Sequence, residues 1–146
     1  MARRVVTGLN AAGKSCVVID GEIPAVSEVG GVAWHTDSHP VDNSGSEDAA
    51  PAEFSFDLMH AGSTFMIHRY VPGQGEFWHA TDTTDYIVML EGEVTLLLEA
   101  GEVTLRKGDL CVDRGINHCW RNDSGADAVA AIIAIPARPI GKGRTV

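Results

Sequence analysis

A chain of 146 residues is long enough for one hydrophobic core and too short to divide comfortably into two. Its net charge of −9 excludes a phosphate-neutralising nucleic-acid face and docking on an anionic membrane. Three cysteines without a CxxC pair exclude a disulfide framework and a zinc ribbon.

Arg3 to Thr7 reads as a first strand. The stretch GLNAAGKS (8–15) then satisfies the phosphate-loop pattern GxxxxGK[ST]. Such a loop works where a helix follows it and aims backbone N–H groups at the phosphates. Here Cys16 to Ile19 follows, a β-branched run closed by Asp20-Gly21. The expectation is a hairpin with no nucleotide role. A connection through Pro24 leads to a short strand over 30–35, and His35 and His39 precede Pro40 as loop residues. A lid carrying Trp34 across a cavity mouth is the alternative for this segment. Residues 42–53, DNSGSEDAAPAE, lack aromatic and branched aliphatic side chains and are expected to be mobile.

Regular patterning begins near Phe54. Ser63 to Val71 reads as a strand stopped by Pro72-Gly73. Met66, His68 and Tyr70 share one of its faces, and Phe65, Ile67 and Arg69 the other; alternation alone leaves open which faces inward. Tyr86 to Leu90 is an apolar strand, with Tyr86 expected in the core. Residues 93–99 and 102–106 form a hairpin about Ala100-Gly101. Leu110 to Asp113, His118 to Arg121 and Ala128 to Ile135 complete the set, and the tail 138–146 shows no packing pattern. About ten short strands with frequent turns predict an all-β barrel or sandwich. No apolar run reaches a membrane span, and the residues after Met1 are too few for a signal-peptide core, so a cytoplasmic setting is expected.

Two stretches carry chemistry. In the first, Gly73, His79, Thr81, Asp85 and Gly92 are spaced as Gly, five residues, His-x-His, an acid, Gly, with Thr81 and Asp85 standing for the second His and the Glu. In the second, Gly108, Gly115, His118 and Asn122 match a Gly…Gly…His…Asn pattern, with Arg114 where Pro is usual. Fifteen residues separate Gly92 from Gly108. Together these motifs resemble the paired signature of the cupin superfamily, and HATDTTDY resembles a subgroup of small bacterial and fungal cupins with H-x-T-D-T-x-D-Y. Many of that subgroup are uncharacterised or lie near natural-product genes. The resemblance implies a double-stranded β-helix barrel over 54–136. Residues 1–53 would be an N-terminal strand extension of the same domain, 137–146 a tail, and the assembly a homodimer.

The resemblance also implies a divalent metal (Zn, Fe, Mn or Ni) held by His79, Asp85 and His118. Thr81 is a poor replacement ligand. Asp85, one methylene shorter than Glu, either reaches the ion or orients a histidine, and Asp82 is a spare carboxylate. Without a metal, the same histidines and Asp85 would transfer protons. A single histidine of this kind is more often a hydrogen-bonded core residue; two in matching positions with an acid in register point to a site. Trp120 shares the face of His118 and, with Thr81, His68 and Tyr70, is a candidate for substrate contact or cavity wall. Cys119 points the other way and reads as a small buried hydrophobe. The expected function is a small-molecule lyase, dehydratase or isomerase. The alternatives are an Fe(II) oxygenase on a two-His-one-carboxylate site and a non-catalytic binding module.

Overall fold

The computed structural model describes residues 2–55 and 61–146. The stretch 56–60, which the sequence assigns to the start of the barrel core, lies outside the described residues. Eleven strands are present and no helix among the described residues. They are β1 (Arg3–Leu9), β2 (Ser15–Glu22), β3 (Ala25–Ser27), β4 (Gly30–His35), β5 (Thr64–Tyr70), β6 (Thr83–Glu91), β7 (Glu93–Leu98), β8 (Gly101–Arg106), β9 (Leu110–Asp113), β10 (His118–Arg121) and β11 (Ala128–Pro136). A six-stranded sheet runs β3-β4-β5-β11-β6-β9 and a three-stranded sheet runs β10-β7-β8, every pairing antiparallel.

The last strand of the chain lies centrally, between β5 and β6. Ala128, Ala130, Ile132 and Ala134 alternate inward on it and are buried, as period-two patterning requires of a strand with one face on a core. Met66, Tyr70, Ile87, Met89, Val94 and Leu105 complete the apolar centre. The open question on β5 is settled: Met66 and Tyr70 are buried while Phe65 is 44% exposed. Tyr86, by contrast, is exposed. Its neighbour Asp85 takes the inward position, so alternation sends Tyr86 out.

The GxxxxGKS stretch is the turn of the β1–β2 hairpin. The side-chain carbonyl of Asn10 accepts the N–H groups of Ala12 and Lys14, and its backbone carbonyl accepts that of Gly13. The amides a phosphate would need are therefore spent inside the turn. The acidic segment expected to be mobile is tied down at one point, because Asp48 pairs with Arg4, which also donates to the Ala33 carbonyl. Trp34 lies in β4 opposite Phe65 and does not line the cavity described below, so it is a sheet residue and not a lid.

The tail corrects the sequence reading. Thr145 N–H donates to the Ala80 carbonyl, Ala80 N–H to the Thr145 hydroxyl, and Arg144 N–H to Asp82 Oδ1, the last at 2.8 Å. Thr81 N–H donates to the Gly115 carbonyl and the Asp82 carbonyl accepts from Ala137 N–H, and the tail satisfies both backbone groups of Ala80. Hydrophobic periodicity is blind to such packing.

Two motif residues act on the backbone. Gly115 has φ +71, and a Cβ there would lie 2.1 Å from the Thr81 carbonyl oxygen; only glycine lets the 113–118 turn close on the 81–83 segment. Asn122, 3% exposed, donates to the carbonyls of Tyr70 and Ala126 and accepts from Ser124 N–H and Oγ–H. It closes the turn into β11. Asn122→Ala should therefore cost about 1–3 kcal/mol by stranding buried carbonyls, read as a lower urea midpoint with unchanged m.

Candidate active site

A cavity of 720 Å³ opens between the sheets. β5 contributes Met66, His68 and Tyr70, β6 Asp85 and Ile87, β10 His118 and Trp120, and the segment before β6 Phe77, His79 and Thr81. The two histidines meet because residue 79 forms an isolated antiparallel bridge with residue 118, each N–H donating to the other's carbonyl at 2.9 Å. Their ring centroids are 4.4 Å apart. Cys119, fully buried, accepts the Phe77 N–H on its sulfur, and Phe77 stacks on His79 at 5.0 Å. The buried-hydrophobe reading of Cys119 holds, with this anchoring contact added.

Hydrogen bonding fixes both tautomers. His118 Nδ1 lies 2.8 Å from the Ile116 carbonyl and 3.2 Å from Asp113 Oδ2. Both partners are acceptors, so Nδ1 carries a proton, and in the neutral ring Nε2 is the atom with the lone pair. His79 Nδ1 likewise donates to the Phe77 carbonyl at 3.0 Å. Burial, the largest cause, holds the His79 imidazole below its ordinary pKa, and the neighbouring His118 adds to this.

Sequence reasoning missed Asp113. Its side chain and that of His118 are only 2% and 4% exposed, and its Oδ1 accepts the Gly115 N–H at 2.9 Å. In the sequence it reads as a carboxylate opening an Arg-Gly turn, and half of it is that. The signal available was an Asp two residues before a turn glycine and five before the motif histidine.

Asp85 sits opposite Asp113 across the β6–β9 pair. Its Oδ1 is buried without a hydrogen-bond partner. Burial above all pushes its pKa from 3.8 up to about 6; Asp113 adds like-charge repulsion, while the Thr83 hydroxyl and His118 pull the other way. Deeper in, burial lowers His68 to about 4, keeping it neutral, although a bond with the Val29 backbone opposes this. The His68 and Tyr70 rings meet edge-on at 4.4 Å, and Tyr70 lies 5.1 Å from Trp120. Burial and the carboxylates of Asp85 and Asp113 push the Tyr70 hydroxyl up, so it stays protonated.

The remaining candidates divide. Thr81 lines the cavity, with its hydroxyl bonded to that of Thr83 at 2.8 Å. Asp82 does not line it: the next residue along an extended chain points the other way, and its carboxylate receives the Arg144 N–H. Its assignment as a spare metal ligand is corrected to a clamp on the tail. Among the described residues no three His, Cys, Asp or Glu side chains converge to hold a metal. Asp113 is committed to His118 and Gly115, and Thr81 to Thr83. Neither therefore supplies the ligand that the His-x-His…Glu…His pattern has where this chain has Thr81.

A double-stranded β-helix closed around a histidine-lined cavity defines the cupin class. Residues 66–135 match the family model described as the Cupin domain, and the chain carries a cupin domain over that stretch. It is 48% identical over 85 residues to the oryzines biosynthesis cluster protein J of Aspergillus oryzae, covering 57% of this chain and 48% of that one. It is 29% identical over 134 residues to a cupin-domain-containing oxidoreductase of Hypocrea virens, covering 84% of this chain and 68% of that one. The chain spans about half to two thirds of the length of the relatives it matches. A solved protein with a double-stranded β-helix domain from Klebsiella pneumoniae shares the fold at a TM-score of 0.52 and 16% identity, over 79% of this chain and 84% of that one.

Proposed function

We propose that the cavity is an acid–base active site that moves a proton on a small, largely apolar substrate, in a dehydratase, related lyase or isomerase. One observation carries this reading: a partnerless buried carboxyl oxygen on Asp85 shares the cavity with the Asp113–His118 pair. His118 Nε2 serves as the base. Asp113 holds the ring in that tautomer and stabilises the imidazolium that forms, as the carboxylate of a catalytic triad does. Asp85 serves as the acid. Its raised pKa keeps a protonated fraction near neutrality, where a general acid is most effective. In a dehydration, His118 takes the proton from carbon, the C–H electrons form the double bond, and the C–O bond breaks as Asp85 protonates the departing hydroxyl. His79, its Nδ1–H committed to Phe77, offers an Nε2 lone pair that can accept from a substrate hydroxyl.

The test needs no native substrate. Simple β-hydroxy ketones incubated with the enzyme in D₂O should exchange the proton next to the carbonyl or lose water, both read by NMR. Turnover should persist in EDTA and without air. Loss of turnover on chelation, restored by one equivalent of a divalent ion, would overturn the metal-free scheme. A second reading, an oxidoreductase, is favoured by the Hypocrea virens relative's description; dependence of product formation on oxygen would select it.

A further inference from the structure

The tail that closes against residues 80–82 also delivers a charge. Arg144 lines the cavity and is itself exposed, which places it at the rim. It is the one Lys or Arg among the described lining residues. Its backbone N–H is fixed to Asp82 Oδ1, and Thr145 beside it is bonded twice to Ala80, so the residue is held at the mouth by three hydrogen bonds. The guanidinium enters none of the ion pairs of the described residues. The two carboxylates of the cavity, Asp85 and Asp113, face each other on β6 and β9. The apolar part of the lining comes from Met66, Ile87, Phe77 and Trp120.

We propose that Arg144 is the specificity residue of this cavity, and that its ligand is a monocarboxylate with an apolar, aromatic-sized body. A guanidinium binds a carboxylate through paired, charge-assisted hydrogen bonds. Asp85 and Asp113 repel the same group, so the ligand enters with one orientation: carboxylate at the rim, apolar body between the walls, far end at the His118–Asp85 centre. Attraction at one end and repulsion at the other both contribute to that selection. On a surface of net charge −9, long-range steering of an anion is unfavourable, so recognition rests on this local contact. The assignment of the far end rests on the acid–base reading above; recognition of the carboxylate does not.

Calorimetric titration with phenylacetate and its neutral counterpart phenylacetamide tests the two separately. Phenylacetate should bind the wild-type protein more tightly than phenylacetamide. Arg144→Ala should weaken phenylacetate about tenfold or more and leave phenylacetamide unchanged, with the melting temperature preserved because the side chain is exposed. Arg144→Lys should retain part of the preference and Arg144→Glu should invert it. Equal affinities for the two probes, no saturable phenylacetate binding, or an unchanged preference in Arg144→Ala would each overturn the proposal. Asp85→Asn distinguishes the two readings: it removes a repelling charge and should tighten phenylacetate. If that variant keeps full turnover while Arg144 still selects the carboxylate, the acid–base reading fails and this one stands.

Discussion

Asp85→Asn is expected to lower turnover by about 10²- to 10⁴-fold, the usual contribution of a positioned general acid, while making the protein more stable at neutral pH. Both effects come from the same burial. The carboxyl is lifted from 3.8 to about 6 in the folded chain, so folding is penalised wherever the unfolded chain is ionised. Below pH 3.8 the group is protonated in both states and costs nothing. The cost grows as pH rises from 3.8 and is complete above about 6. Asn, which never ionises, should therefore recover up to about 3 kcal/mol at pH 8 and nothing at pH 3. The same pKa sets the activity profile. The acid form does the work, so kcat/KM should fall as pH rises through about 6, and Asp85→Asn should remove that limb with the activity. Urea unfolding at the two pH values and a pH–rate profile read the two halves independently. A variant that is both fully active and no more stable would show that the carboxyl is neither buried nor used.

His118→Ala is expected to act in the opposite sense on stability. Asp113 is 2% exposed, and Oδ2 would lose its imidazole partner. Removing the imidazole leaves a buried carboxyl oxygen without its hydrogen-bond donor, which costs about 1–3 kcal/mol. Denaturant unfolding should show that loss, and turnover should vanish with the base. The double replacement His118→Ala with Asp113→Asn should cost clearly less than the two single costs added, since the stranded carboxylate is gone. Strict additivity would show that the two side chains are not coupled, and the proposed orienting role of Asp113 would fall with it. Asp85 and His118 thus make a contrast within one cavity. One is an acid whose burial is tolerated for function at a cost in stability; the other is a base whose partner makes it part of the fold.

Much of this architecture is written in local patterns. Period-two alternation in 64–70 and 128–136 and the β-branched run after Lys14 act between near neighbours, so they predict strands and a hairpin without knowledge of the rest; Asp20-Gly21, read from the sequence as closing that run, instead continues β2 and pairs with Val5 and Arg4. The motif glycines are legible for the same reason: Gly92 and Gly115 sit at positive φ, a backbone requirement carried by one residue. His79, His118, Thr81 and Asp85 were placed in one cavity by motif spacing, and the described geometry brings all four to its wall.

The sequence by itself therefore determined most strands and turns, though not β3 inside the expected connection, and the four residues that the two motifs nominate. Only the tertiary structure decided what those residues face. The face of β5 that turns inward depends on which sheet packs over it, and alternation is symmetric in that respect. Asp113 acquires its role because β9 pairs with β6 and the 113–118 turn folds back on itself. Asp82 and Arg144 are brought together across 62 positions by a hydrogen bond from the Arg144 backbone N–H to the Asp82 carboxylate. Isolated hydrogen bonds of this kind leave no periodic signature, so no local pattern reveals which segment the tail will cover. The chemistry of this cavity rests on those long-range contacts: the partner of each histidine, the unpartnered oxygen of Asp85, and the charge at the mouth.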